Sequence, residues 1–505
     1  MKKTLFIALI VFVSMMGSPL SGLAQTPQSG GILKIVTPNG PAVIGYFKEM
    51  GPADLTAAFP AIEALMDYTS RREIKPFLAE SVDINEKNPM ITFHLRKGIK
   101  FHDGSDFNAD AVAYNFNWLK ETKRLQYGEK VKSIEIVDPY TVRLRLTEYN
   151  NMLIHGLGWV FMWSKVALTT KSPDYLRANP VGTGPFRLVE WRRDDHIKWE
   201  RNKDYWQKGR PYLDGIEIRY VPDSVTASEM IQTKQVDMWT NCPVKDQADL
   251  EKKGLARNFG YAGLPSTIFF NTTDPNKPTG KLKVREAIEY ALDKPAMAKA
   301  LGFGYATPLK MTSPEGEWGY DPAYKGRPYD PQKAKQLLAE AGYPNGLKLK
   351  LMALQGPQDL ATAIKSYMDQ AGFNVDIDVA DPGRFFGAWF GPSGFEDMLL
   401  GFTGLDPNYL VTFQRWFSHD PATNITSFKR SPELLALSRE SITYTKEADQ
   451  KAVTKRLIRT VAEEVDVIPI FNIPAAYMTQ PYVHSNYLKE GLIRWRTFDD
   501  WMEKK

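Results

Sequence analysis

The sequence predicts an α/β protein of two lobes that meet at a cleft. Three observations carry this. At 505 residues the chain is too long for one ordinary core. Its first half is rich in short alternating strands separated by Gly/Pro turns. From about residue 280 to 475, amphipathic helices alternate with strands, the pattern of a sheet covered on both faces. A composition of 43% apolar and 12% aromatic residues is globular.

The chain opens on a secretory leader. Lys2 and Lys3 form a charged start, Leu5 to Val13 are all apolar, and Gly17-Ser18-Pro19 breaks the run. The run is too short for a membrane anchor. Small residues up to Ala24 place cleavage after Ala24, with Gly22 at the −3 position. The leader is residues 1–24, and it holds no cysteine for a lipid anchor, so a periplasmic protein that is not a lipoprotein is expected. Cys242 is the one cysteine, so no disulfide forms within the chain.

"GILKIV" after the polar leader end reads as the first strand. Residues 91–101 alternate, with Ile91, Phe93 and Leu95 on one face and Thr92, His94 and Arg96 on the other. Asp103-Gly104 turns the chain. Asn108 then caps a helix whose apolar face is Val112, Phe116 and Leu119. "IEIVDPYTVRLRL" at 134–146 reads as a hairpin around Asp138-Pro139. "NPVGTGPFRLVEW" at 179–191 is a turn entering further strands, and "GIEIRYV" at 215–221 leads into a helix over about 224–236.

The second style starts near 280. Val284, Ala287, Ile288 and Ala291 fall at i, i+3, i+4 and i+7. Asp330 caps a helix with Pro331 at its first position, Ala334, Leu337, Leu338 and Ala341 form its buried face, and Gly342 stops it. Strands follow at 347–351 and 374–379, with a helix at about 358–371 between them. "DPGRFFGAWF" at 381–390 reads as a loop. Pro432 starts a helix, a long one covers about 447–464, and "VIPIFNI" at 467–473 is a strand.

Charge and motifs exclude several functions. The formal net charge is +5, of which Lys2 and Lys3 belong to the leader. Basic residues are spread along the chain, so nucleic acid is not an expected partner. His102-Asp103 resembles a general base with its orienter, but neighbours on a turn seldom face each other. His155, His196, His419 and His484 show no metal-ligand spacing. "GTGPF" at 182–186 lacks the rest of a phosphate loop, and no GxSxG elbow occurs. No acid, base and electrophile come together, so no enzyme, no cofactor and no resident metal are expected.

Several segments in order resemble the extracytoplasmic solute-binding proteins of ABC importers, family 5, the oligopeptide-, dipeptide- and nickel-binding type. They are "ITFHLRKGIKFHDGSDFNADAVAYNF" at 91–116, "PVGTGPFRLVEW" at 180–191, "KDYW" at 203–206, "LDGIEIRYVPD" at 213–223, "VREAIEYALDK" at 284–294, "YDPQKAKQLLAEAGYPNG" at 329–346 and "IPIFN" at 468–472. The resemblance implies a type II-like periplasmic-binding-protein fold, with two lobes, a hinge cleft and an extra mixed α/β scaffold domain. Domain I is then 30–70, 180–265 and 480–505; domain II, the extra one, 71–179; domain III 266–479. Crossings near 261–271 and 472–482 form the hinge. The implied function is capture of a small solute, a peptide or peptide-like compound first, and delivery to ABC permease membrane subunits by a monomer. A nickel chelate, with His419 near the cleft loop, a small organic acid, or a signalling receptor are the alternatives.

Ligands in open α/β sheets sit at strand ends, which directs attention to "GFTGLDPNYL" at 401–410. Peptide-binding relatives hold the ligand amine with an acid before or at this Asp-Pro pair. Here only Asp406 is available, and it equally suits the start of a turn. Arg384 is a candidate carboxylate clamp, and Phe385, Trp389, Phe402 and Tyr409 candidate apolar walls. Trp163, in "GWVFMW" at 158–163, reads as cleft lining or as core. Asn271, at a strand end, and Tyr46, in an early loop, complete the expected ligand-binding set.

Overall fold

The structure is a computed structural model that describes residues 26–69, 73–356, 358–404, 408–418, 427–487 and 494–504. The leader and its cleavage position lie outside the described residues. No described helix is long and apolar enough to cross a membrane.

Two large sheets organise the chain. The first has seven strands, in the order Phe186–Arg192, His196–Arg201, Gly215–Tyr220, Ile32–Thr37, Met238–Trp239, Pro474–Thr479 and Ala256–Gly263. The second has six, in the order Thr307–Pro308, Val467–Asn472, Ser266–Phe270, Met398–Phe402, Leu347–Leu354 and Phe373–Ala380. A four-stranded antiparallel sheet is separate, built from Ala79–Asn85, Met90–Leu95, Thr141–Leu146 and Val131–Asp138.

Alternation explains how the second sheet is buried on both faces. Phe269 and Leu399 enter one apolar cluster, while Ile268, Phe270 and Met398 enter another on the opposite face. Helix Leu282–Ala291 covers the second face with Val284, Ala287, Ile288 and Ala291, all at 0% exposure. Pro331–Glu340 joins it, capped by the Asp330 side chain accepting from the Lys333 amide at 2.9 Å. Gly342, at φ +100°, takes the left-handed turn that ends this helix.

The opening strand–turn–helix is scaffold. Helix Ala109–Glu121 is capped by Asn108, whose Oδ1 accepts from the Ala111 amide at 3.0 Å. Val112, Phe116 and Leu119 pack beneath it. His94 lies on the exposed face beside Asp83, 2.9 Å away. The His102 ring binds the Gly184 carbonyl at 2.9 Å, and its backbone amide donates to the Gly182 carbonyl. The histidine therefore ties its turn to "GTGPF".

Two expectations need correction. Residues 381–390 are a helix, Pro382–Phe390, capped by Asp381 and started by Pro382. Gly383 and Gly387 lower intrinsic helix propensity there, but burial of Phe385, Ala388 and Trp389 on one face outweighs it. The helix expected over 224–236 ends at Gln232, because Lys234 turns into the left-handed region at φ +60°.

Candidate binding cleft

Register locates the site. In the second sheet, Ser266 pairs with Phe402 and with Phe471, and Leu354 with Ala380. The carboxyl ends of three parallel strands, Leu354, Ala380 and Phe402, thus share one edge with Ser266 and Asn472. In the first sheet, Gly263 pairs with Pro474, and the carboxyl ends Thr37, Tyr220 and Trp239 point to that same side. The chain passes between the sheets twice, from Gly263 to Ser266 and from Asn472 to Pro474. Strand ends of both sheets therefore converge on the two crossings, the usual location of a ligand in open α/β sheets.

The crossings are tightly packed. A Cβ on Gly263 would lie 1.9 Å from Asn472 Oδ1, and one on Gly404 would lie 2.9 Å from the Gly263 carbonyl. Gly404 is also at φ +108°, where a side chain is strained. The Thr403 amide donates to the Pro265 carbonyl at 3.0 Å. The loop that leaves Phe402 is thereby fixed to the first crossing.

On the first-lobe side, Tyr46 lies in the loop after Thr37. The buried Asp54 carboxylate pins this loop by accepting from the Ala42 amide at 2.7 Å and the Gly51 amide at 2.7 Å. The Tyr46 ring sits 6.1 Å from Trp118 and is half-buried. Trp163 is core: it is 2% exposed and stacks on Phe47 at 6.2 Å. Asn115 bonds both its backbone groups, at 2.8 and 3.1 Å.

On the second-lobe side, Asn271 is at the end of Ser266–Phe270 opposite the crossings. Its amide group donates to the Phe395 carbonyl at 2.5 Å and accepts from the Thr273 hydroxyl at 2.7 Å. Asn271 shapes a turn away from the cleft edge. Arg384 grips Asp378 with two bonds of 2.8 and 2.7 Å, and donates to the Val379 carbonyl at 2.8 Å. The bonds to Arg384 hold the Asp378 carboxyl below its usual range. The guanidinium is thus turned back onto the strand that precedes its helix. Asp406 and His419 lie outside the described residues. Asn408, next to that segment, caps helix Tyr409–Phe417 through the Val411 amide at 3.1 Å, and Tyr409 is buried in its first turn.

Phe385, Trp389 and Phe402 do come together, with four rings that sequence reading did not select. Trp389 is fully buried and lies 5.2 Å from Phe269, 5.2 Å from Phe402 and 5.0 Å from Trp416. Phe386 and Phe390 flank it at 6.2 and 4.9 Å. The available signal was the Asp381-Pro382 helix start, which places Phe386 and Phe390 one turn apart.

The lobes also meet away from the crossings. Helix Asn151–Gly156 reaches the second lobe, where the Asn151 amide group donates to the Ser441 and Tyr444 carbonyls at 2.7 and 2.9 Å. His155 lies 3.1 Å from Gln450 Oε1, and burial pushes its imidazole pKa down. Arg257 lies 3.9 Å over the Tyr305 ring.

Two sheets joined by paired crossings form a bilobal α/β arrangement, and similarity to known proteins agrees with it. Residues 73–424 match the bacterial extracellular solute-binding proteins, family 5 Middle, and the chain belongs to this family. Glutathione-binding protein GsiB of Shigella boydii is 33% identical over 335 residues, covering 64% of this chain and 64% of the relative. Heme-binding protein A of Haemophilus influenzae is 37% identical over 312 residues, 55% of each chain. The matches thus span less than two thirds of these relatives. Among solved structures, the periplasmic binding protein DppA from Helicobacter pylori in complex with peptide STSA superposes with a TM-score of 0.81 at 24% identity, over 94% of this chain and 99% of that one. HbpA2 from Haemophilus parasuis gives 0.80 at 21% identity, over 94% and 100%. The fold is the α/β type II periplasmic-binding-protein fold.

Proposed function

We propose that this chain is the substrate-binding component of an ABC importer. It captures a small peptide or peptide-like solute between its lobes and delivers it to a membrane permease, with no covalent step. The observation that carries this is the convergence of strand ends from both sheets on two chain crossings. Such a geometry lets the lobes rotate about short segments and enclose a ligand. The names of family relatives that bind peptides and glutathione support a peptide-like ligand.

In this reading domain I comprises 30–70, 180–265 and 480–505, domain II 71–179 and domain III 266–479, with strand Pro474–Thr479 passing to the sheet of domain I. The mature protein begins at Gln25, carries no lipid, acts as a monomer in the periplasm and does not bind nucleic acid. Tyr46 and Phe402 line the cleft, and Asp406, on the sequence reading alone, is the group suited to a ligand amine. Phe385, Trp389 and Tyr409 support its walls from within.

The test is a calorimetric screen of di- and tripeptides, with small-angle scattering of any complex found. Binding should be saturable, at one site per chain, and should reduce the radius of gyration. Failure of every peptide to bind sinks the peptide assignment. Binding with an unchanged radius sinks the hinge closure.

A further inference from the structure

Helix Pro382–Phe390 begins directly after strand Phe373–Ala380, at the sheet edge that faces the first lobe. It leaves two phenylalanines, Phe386 and Phe390, 39% and 45% exposed. They sit four residues apart, on one side of the helix. Their rings lie within 5° of parallel, and both are near-parallel to the buried Trp389, at 10° and 15°. Trp416 continues this orientation, 17° from Trp389. Phe402, the last residue of its strand, meets Trp389 edge-on at 83° and connects the group to the crossing.

The two exposed rings are therefore held in fixed orientation by buried tryptophans. Full burial of a phenylalanine side chain stabilises a protein by about 1.5–3 kcal/mol, and here much of that gain is forgone at two adjacent positions. No charge competes for the surface from within the helix, because Arg384 is bound to Asp378 and to the Val379 carbonyl.

We infer that Phe386 and Phe390 form a subsite for a planar aromatic group of the ligand, aligned with the near-parallel rings of Trp389 and Trp416. Aromatic rings prefer such offset stacking at centroid separations of about 4.5–7 Å, and an added ring extends an arrangement already built. The subsite selects by flatness and apolar surface. It rests on the cleft location proposed above, but not on the ligand being a peptide.

The probe is N-phenyl-1-naphthylamine, a flat apolar dye that fluoresces when removed from water. The full-length mature protein should bind it saturably, one molecule per chain. Phe386→Ser with Phe390→Ser should weaken that binding at least tenfold. Both side chains are partly in water, so the double variant should fold, and circular dichroism checks this. Phe303→Ser, at a 53% exposed phenylalanine elsewhere, should leave dye affinity unchanged. Equal affinity in the parent and the double variant, or no saturable binding by the parent, overturns the subsite. Competition separates the two readings. If peptides bind but aromatic and alanine side chains bind equally well, the subsite falls and the binding function stands. If no peptide binds while the dye result holds, the peptide assignment falls and the subsite stands.

Discussion

Replacing His102 with glutamine should make the protein less sensitive to acid. The imidazole is largely enclosed, hydrogen-bonded to the Gly184 carbonyl at 2.9 Å, with the Arg187 guanidinium donating to the His102 carbonyl at 2.9 Å. Burial first, and the Arg187 charge with it, push the ring's pKa from 6.5 down to about 4. In the unfolded chain the ring takes a proton near 6.5; in the folded chain it does not. Its contribution is therefore intact above pH 6.5 and is lost as the pH falls from 6.5 to 4. One pKa unit corresponds to about 1.4 kcal/mol, so the gap sets a ceiling of about 3 kcal/mol, and residual solvent contact at the ring lowers this to about 2 kcal/mol. His102→Gln keeps a donor for Gly184 but cannot titrate. Near pH 7.5 it should cost about 1 kcal/mol or less, since Asn202 also donates to that carbonyl at 3.1 Å. Denaturant unfolding followed by circular dichroism at pH 7.5, 5.0 and 4.0 measures the difference between parent and variant. Taking that difference cancels groups common to both, including Glu63 and Asp500, whose pKa values burial raises to about 7 and which favour the fold as the pH falls. The difference should move by about 2 kcal/mol in favour of the variant between pH 7.5 and 4.0. A constant offset at all three pH values would refute the desolvation argument. A hundredfold loss of ligand affinity would refute the assignment of His102 to the scaffold.

Three further outcomes follow from the geometry. Arg384→Ala should change ligand affinity by no more than about threefold in calorimetry, since the guanidinium is an exposed partner of Asp378; a tenfold loss would place it on the ligand. Asn151→Ala removes both donors to the Ser441 and Tyr444 carbonyls and should weaken this lobe contact by about 2 kcal/mol. Faster hydrogen exchange in helix Pro432–Ser441 reports it, and unchanged exchange counts against the contact. Asp67→Ala leaves the 7% exposed Arg494 side chain without its carboxylate and should destabilise the first lobe by about 3–5 kcal/mol; a loss below about 1 kcal/mol would show that the cation is stabilised chiefly by the Phe161 ring 4.9 Å away.

Local signals made much of the fold legible. Asn108 and Asp330 announced their helices because a cap bonds three residues ahead, within reach of a sequence motif. Alternation exposed the strands that face core on one side only. The site was less legible, because its contacts are distant. Whether Trp163 lines a cleft depends on Phe47, more than a hundred positions earlier. The Asn151 contact to Ser441 spans 290 residues. Arg384 looked available because its partner, Asp378, belongs to a strand whose side-chain directions depend on the sheet around it. Phe386 and Phe390 were passed over with their helix, whose two glycines hid it.

The strand order of the first sheet has a consequence for how the chain is made. Among the described residues, strand Ala256–Gly263 has no sheet partner but Pro474–Thr479, which is also the strand that joins it to Met238–Trp239. Every strand of the second sheet is encoded between these two, from Ser266 to Asn472. As the chain emerges from its amino end, the inner lobe can finish as one continuous stretch, while the outer lobe waits with an unpaired strand. An open strand edge is a template for wrong pairing, and its exposure lasts until the whole inserted lobe and the strand after it have emerged. A chain that ends at residue 473 should therefore contain a complete second lobe and a sticky, unfinished first one, so the residues after 473 decide whether the product stays in solution.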